Sequence, residues 1–375
     1  MQSKDDEVAY LRDFYRDKTV LLTGIHGFKG SWMALLLAEL GAKTIGVGLH
    51  ADDGLLFPML DLEGLGIESH ILDIRDRALV DLVVDTRPDV IFHMAAQPIV
   101  SVGHDDPYLT YSSNVMGVVN LLDGVRGLDN RVSVVNVTTD KCYQNVEKEE
   151  PYLEDDRLMG EDPYSSSKSC AELVSYSYRV SYFDDNHAPD AKLLSTARAG
   201  NVIGGGDFAL NRIIPDMARA LAADEPVTIR NFDSIRPYEH VLDALYAYVV
   251  LAARQWDSSD LVGAYNIGPN TESVMRTREL TDYFAAHSPL KIVDGSEGRT
   301  FKESILLSLD SGKFRRTFDW TPTWAGKDEM LAKTLVWYQK WIEGDVDMTA
   351  FTTEQVREFL AAPQSADDTL QKAES

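Results

Sequence analysis

Cysteine is nearly missing from this sequence: Cys142 and Cys170 are the only two in 375 residues. Two cysteines cannot build the disulfide framework of small secreted domains, so both read as packed thiols in a reducing compartment. Long apolar runs are missing as well. None approaches the roughly 20 residues that a membrane helix needs, and the leading segment MQSKDDEVAYLRDFYRDK carries charge where a signal peptide needs an apolar core. A cytoplasmic chain without a membrane partner is expected. Positive charge is scarce too, with 36 Lys and Arg against 60 Asp and Glu and a net charge of -24. Such a surface repels a phosphate backbone, which excludes nucleic acid as a partner. The remainder is ordinary globular composition, 44% hydrophobic and 26% charged, enough for one large domain or two cooperating ones. There is no internal repeat.

Apolar runs at 19–22, 44–49, 90–93, 132–137 and 192–197 read as strands. Helical patterns separate them, among them SWMALLLAELGA, 111–127 and 164–182. Strands alternating with helices predict an α/β fold, a Rossmann-type doubly wound parallel sheet. After Asn201 the regularity breaks at Gly204-Gly205-Gly206, followed by a helix at 214–222, a strand at 227–231 and a helix at 241–254. A smaller C-terminal α/β lobe is being built there. The division expected is 1–200 with 232–268 as the cofactor domain, 201–231 and 269–362 as a substrate lobe, and 363–375 as a disordered tail. Trp337 and Trp341 read as core packing. Apolar residues beyond one face of the helices at 111–127 and 164–182 point to a homodimer.

Gly24, Gly27 and Gly30 stand three apart between the first strand and the first long helix of the sheet. Glycine there permits a tight turn, lets the backbone approach a pyrophosphate and lets the helix pack closely, its N-terminus facing the anion. Dinucleotide binding follows. The second strand ends at His50, where an acid would hold the ribose hydroxyls; Asp52 and Asp53 come next, and no nearby arginine is offered to a 2′-phosphate. NAD is therefore expected over NADP, although Lys29 inside the loop argues the other way. Asp73, after a third apolar stretch, suits the adenine.

Tyr164 and Lys168 lie one helical turn apart in PYSSSKSCAEL. An ammonium near a phenol favours the phenolate, so Tyr164 can take a proton from a sugar hydroxyl. Thr139-Asp140-Lys141 ends the strand SVVNVTT, where open α/β sheets place their ligands. If buried, Asp140 is raised toward a proton donor and Lys141 lowered toward a proton acceptor. That pair favours elimination over simple oxidation. A nucleotide-sugar 4-epimerase and a non-catalytic dinucleotide sensor are the competing readings; the first needs no Asp-Lys pair, and the second would typically lose Tyr164 or Lys168.

TGxxGFKGSW, FHMAAQP, NVMG, TTDKCY, DPYSSSK, RAGNVIGGGD and SIRPYEHV, spread over residues 13–345, together resemble the CDP-glucose 4,6-dehydratases of the extended short-chain dehydrogenase/reductases. These bacterial enzymes open the route to dideoxy sugars of surface polysaccharides. The resemblance implies Tyr164 as the base that starts hydride transfer, tuned by Lys168, with Thr139 on the sugar 4-hydroxyl and Asp140 and Lys141 as acid and base. It implies a cofactor set of Gly24, His26, Gly27, Phe28, Lys29, Gly30, His50, Asp73, Ile74, Ala95, Ala96, Gln97, Asn114 and Thr138, besides Tyr164 and Lys168. Gln97, Thr139, Arg198, Asn201, Arg212, Arg236 and His240 would meet the nucleotide sugar. No metal site is implied. Two departures stand out: His50 replaces the usual acid, and FKESILL at 301–307 replaces aromatic and histidine residues.

Overall fold

The computed structural model describes residues 3–364 apart from 53, 186, 270–272 and 297–306. Asp53, most of FKESILL, and the tail from 365 onward lie outside the described residues.

Twelve strands are described: β1 (Thr19–Thr23), β2 (Lys43–Gly48), β3 (Glu68–Ile71), β4 (Val90–His93), β5 (Val132–Val137), β6 (Lys192–Ala199), β7 (Asn201–Ile203), β8 (Pro226–Ile229), β9 (Ile235–His240), β10 (Ala264–Ile267), β11 (Val274–Arg276) and β12 (Lys291–Asp294). Seven form one parallel sheet in the order β10-β6-β5-β4-β1-β2-β3. A parallel sheet needs a helix on the way back from each strand, and those helices bury both faces. On one face lie Phe28–Glu39 and Val241–Asp257. The latter is apolar all round and buried accordingly. Leu79, Val83, Leu121, Leu122, Val125 and Ala171, from helices Ala78–Thr86, Gly117–Arg126 and Pro163–Ser181, pack on the other face.

The winding reverses beside β1, which has β2 on one side and β4 on the other. Ligands of open α/β sheets sit in the crevice beyond the carboxyl ends of strands at such a point. The loops leaving β1, β4 and β5 carry Gly24–Gly30, Met94–Gln97 and Thr138–Lys141, so one crevice gathers all three motifs. The smaller lobe carries a three-stranded sheet, β11-β9-β7, and the pair β12-β8. The segment 232–268, expected to return to the large sheet, is split: β10 joins its edge, whereas β9 belongs to the small sheet. Trp337 is fully buried and Trp341 packs against the same core.

Candidate active site

A cavity of about 970 Å³ opens over the crevice, near the top of the roughly 300–1,000 Å³ range of ligand pockets. Gly24, at φ +81°, turns the chain so closely that a Cβ would stand 2.8 Å from the Ala95 amide nitrogen. At Gly30 a Cβ would meet the Gly24 carbonyl at 2.0 Å. Gly27 caps the helix Phe28–Glu39 without a side chain, which leaves the first amides of the helix open for an anion. His26, Phe28, Lys29, His50, Asp73, Ile74, Ala95, Ala96, Gln97 and Thr138 also line the cavity. His26 holds the end of β2 through the Leu49 carbonyl at 2.5 Å, and burial lowers its pKa. Asp73 is clasped by Arg75, and those hydrogen bonds hold its carboxyl below the usual range.

The catalytic motif is positioned by caps. Asp162 accepts from the Ser165 amide at 3.0 Å and, with Pro163 next, starts the helix one residue before Tyr164. Thr139 caps the single turn Asp140–Cys142 and donates to Asp140 Oδ1 at 2.9 Å. It is also hydrogen-bonded to the Tyr164 hydroxyl. Tyr164, Thr139 and Asp140 therefore form one buried hydrogen-bonded chain at the end of β5. Burial raises the Asp140 carboxyl pKa, against the pull of Thr139 and of Lys141.

Two electrostatic expectations differ from what is found. The Tyr164 phenol is pushed up to about 12 by burial, partly offset by Thr139, while Lys168 donates to the Val137 carbonyl at 3.2 Å. Burial, then Lys29, lowers Lys168 to about 8. Lys141 lines the cavity mouth but is exposed. The turn Asp140–Cys142 buries its outer two residues and points the middle one outward, so the expected desolvation of Lys141 is missing.

Asn201, Arg212 and Arg236 line the same cavity; Arg212 pairs with Asp207 at 3.0 Å. Arg198, His240 and Asn114 do not line it, which corrects their expected roles. Arg198 is buried against Glu172 at 2.8 Å, its guanidinium already engaged. His240 accepts from the Leu242 amide at 3.2 Å as a helix cap and packs edge-on against Trp324; burial pushes its pKa down to about 3. Asn114 is a strut: its amide reaches both the Gln97 carbonyl at 3.0 Å and Ser167 at 2.9 Å. Sequence reasoning missed Asp207, Tyr238 and Asn211 on the lining. It also missed Glu239, a buried acid whose pKa rises through burial although Lys29 opposes it. The GGGD and RPYEH runs held that signal, but only strand alternation on β9 reveals which side chains face in.

In a chain of net charge -24 the cavity carries Lys29, Lys141, Lys168, Arg212 and Arg236 against Asp73, Asp140 and Asp207. Its charge is opposite in sign to that of the whole, as suits an anionic ligand. Among the described residues no helix is long and apolar enough to cross a membrane, and no group of three or more His, Cys, Asp or Glu could hold a metal ion.

The chain is 39% identical over 358 residues to a CDP-glucose 4,6-dehydratase of Salmonella typhimurium, covering 94% of this chain and 98% of the relative. Its fold matches a dTDP-glucose 4,6-dehydratase of Bacillus anthracis in complex with NAD at a TM-score of 0.70 and 23% identity, covering 87% and 98% of the two chains. It also matches a UDP-glucose 4-epimerase of Brucella ovis in complex with NAD at a TM-score of 0.72 and 21% identity, covering 86% and 98%. A family model described as GDP-mannose 4,6 dehydratase matches residues 21–334, and with that span, most of the chain, the protein belongs to the GDP-mannose 4,6 dehydratase family.

Proposed function

We propose that the chain is a nucleotide-sugar 4,6-dehydratase that converts CDP-glucose to CDP-4-keto-6-deoxyglucose with tightly held NAD. The observation that carries this reading is the buried chain of Tyr164, Thr139 and Asp140, which joins a proton acceptor for a sugar hydroxyl to a carboxyl held toward its acid form.

The cavity fits the cofactor: the Gly24 and Gly30 approaches and the uncapped helix N-terminus suit a pyrophosphate. His50 lines the cavity just past β2, and the segment 48–55 that follows the strand contains no Arg or Lys for a 2′-phosphate, which favours NAD over NADP. NAD held there would supply the hydride acceptor for C4 of the sugar and, once reduced, the hydride donor for C6. Tyr164 takes the proton of the 4-hydroxyl, whose oxygen Thr139 holds. The resulting ketone acidifies the C5 hydrogen. Lys141 removes it from the cavity mouth, where the arriving sugar displaces water around the amine, and Asp140 protonates the departing 6-hydroxyl, which leaves as water. Lys141 then returns a proton to C5. Arg212 and Arg236 face the substrate diphosphate, for which a guanidinium fork is suited.

The lobe from 201–231 and 269–362 receives the nucleotide sugar, and 1–200 with β10 and its preceding helix holds the cofactor. Two free thiols and a nucleotide-activated substrate accord with a cytoplasmic setting. Leu173, Tyr176 and Val180 form an exposed stripe on the helix Pro163–Ser181, beside exposed Tyr108 and Met116. Such a stripe is the second apolar face of a helix that already buries its first, and a second copy of the chain would cover it. Leu173→Glu combined with Tyr176→Glu is expected to convert a dimer to a monomer in sedimentation; an unchanged sedimentation coefficient contradicts this pairing.

Gly30→Ala is expected to cost about 1–3 kcal/mol or more through overpacking, lowering Tm and the NAD retained through purification together. The function itself is tested with a panel of CDP-, dTDP-, GDP- and UDP-hexoses read by mass. CDP-glucose is expected to yield a product lighter by one water. Unchanged masses across the panel overturn the proposal.

A further inference from the structure

The turn of helix after Lys168 brings Glu172 to the same face, 3% exposed. One of its carboxylate oxygens accepts from the Thr138 hydroxyl. The other accepts from Thr196 Oγ1 at 2.8 Å and from an Arg198 guanidinium nitrogen at 2.8 Å. Arg198 continues to the Tyr143 hydroxyl at 2.6 Å, which donates to Asn266 Oδ1 at 2.7 Å. Lys168 meanwhile donates to the carbonyl of Val137, the residue before Thr138. The ammonium and the carboxylate thus grip the same strand end from one helix, immediately before Thr139 and Asp140. Apart from Thr138, none of the cluster from Glu172 to Asn266 lines the cavity, so substrate does not explain its geometry.

We infer that Glu172 is a positioning residue: it keeps Lys168 charged and fixes the end of β5, while Arg198 serves as its counter-ion rather than as a ligand of the substrate. The role deepens the dehydratase reading and rests on it for its catalytic consequence. Burial works against the Lys168 charge, and Lys29 on the helix Phe28–Glu39 adds to that; Glu172 is the principal acid opposing them, with the Cys142 thiol behind it. His93 on β4, beside Lys168, is held neutral by burial. Facing Glu172 are Arg198 on β6 and Arg179 on its own helix. A proton can reside on Tyr164 or on Lys168, and only the charged lysine with the phenolate is competent. An anion one turn from Lys168 favours that arrangement.

The two members of the pair then act with opposite sign. Glu172→Gln removes the favourable charge and leaves Arg198 unpaired, so Lys168 loses its proton at lower pH. Arg198→Met leaves Glu172 unopposed, and Lys168 holds its proton to higher pH. The test is the titration of 15N-labelled lysine followed by NMR in the ligand-free chain, together with the pH at which the rate of CDP-glucose oxidation stops rising. Glu172→Gln is expected to move both downward by about one pH unit, a tenfold change in the protonation equilibrium, within the effect of one nearby charge; Arg198→Met moves both upward. Because a half-removed buried pair can prevent folding, Glu172→Gln combined with Arg198→Met removes both charges, a change that cores tolerate, and is expected to lower the Lys168 titration by less than Glu172→Gln alone. Unshifted titrations in folded variants, or shifts of one sign in both single variants, overturn the inference. Failure of native protein to release water overturns the dehydratase reading instead, and the lysine titration still reads this one.

Discussion

Lys141→Ala is expected to separate oxidation from elimination: mixed with CDP-glucose, the variant accumulates NADH absorbance while water loss falls by about 10²- to 10⁴-fold, the range for a missing acid or base. The expectation rests on placement. Tyr164, Thr139 and Asp140 are joined by hydrogen bonds deep at the end of β5, whereas the Lys141 side chain stands at the mouth and only its backbone amide, donating to Thr139 at 3.4 Å, touches them. Removing it leaves the proton path from the 4-hydroxyl intact, and only the C5 proton loses its acceptor. Stopped-flow absorbance and product mass read the two halves separately. Unchanged water loss would assign the C5 proton to another group.

Tyr164→Phe is expected to stop the cycle one step earlier, with neither NADH absorbance nor water loss above about one part in 10² to 10⁴ of native. The remaining chain of Thr139 and Asp140 offers a carboxyl that burial holds toward its acid form, already carrying the proton it would have to accept. The pH dependence follows with its sign. Burial holds the phenol at about 12, so the competent phenolate is scarce at neutrality and oxidation rises with pH. Lys168, lowered to about 8 by burial and Lys29, loses its proton in the same direction, which cancels the gain of phenolate, so oxidation stops rising above about pH 8. A profile that rises to about pH 8 and then levels off is the outcome expected for native protein. A native rate that only rises through this range would show that the lysine charge is not required.

The glycine loop, Thr139-Asp140-Lys141 and Tyr164 with Lys168 were legible because their meaning depends on short spacings next to strand ends. The large sheet was legible for a similar reason, since β4 and β5 are short, largely apolar runs. β9 was not, because Ile235–His240 contains a proline and charged residues, and it pairs with β7 and β11 only through the tertiary structure. The helix Lys4–Tyr15 was overlooked for its charge, although Val8, Leu11 and Tyr15 already had the spacing of a buried stripe. Arg198 and His240 sit in motifs that reach the cavity, yet their own side chains turn into the core. Which side a residue faces at the end of a strand depends on register, and register is set by partners far along the chain. Lys141 failed as a buried amine for a local reason, the outward middle position of a one-turn helix.

The most direct measurement uses CDP-glucose carrying deuterium at C4. The account has hydride leave C4 and return to C6 within one active site, so the product should be lighter by one water and carry the label at C6. Deuterium found back at C4 in a product of unchanged mass would contradict it and show an epimerising oxidoreductase on the same fold.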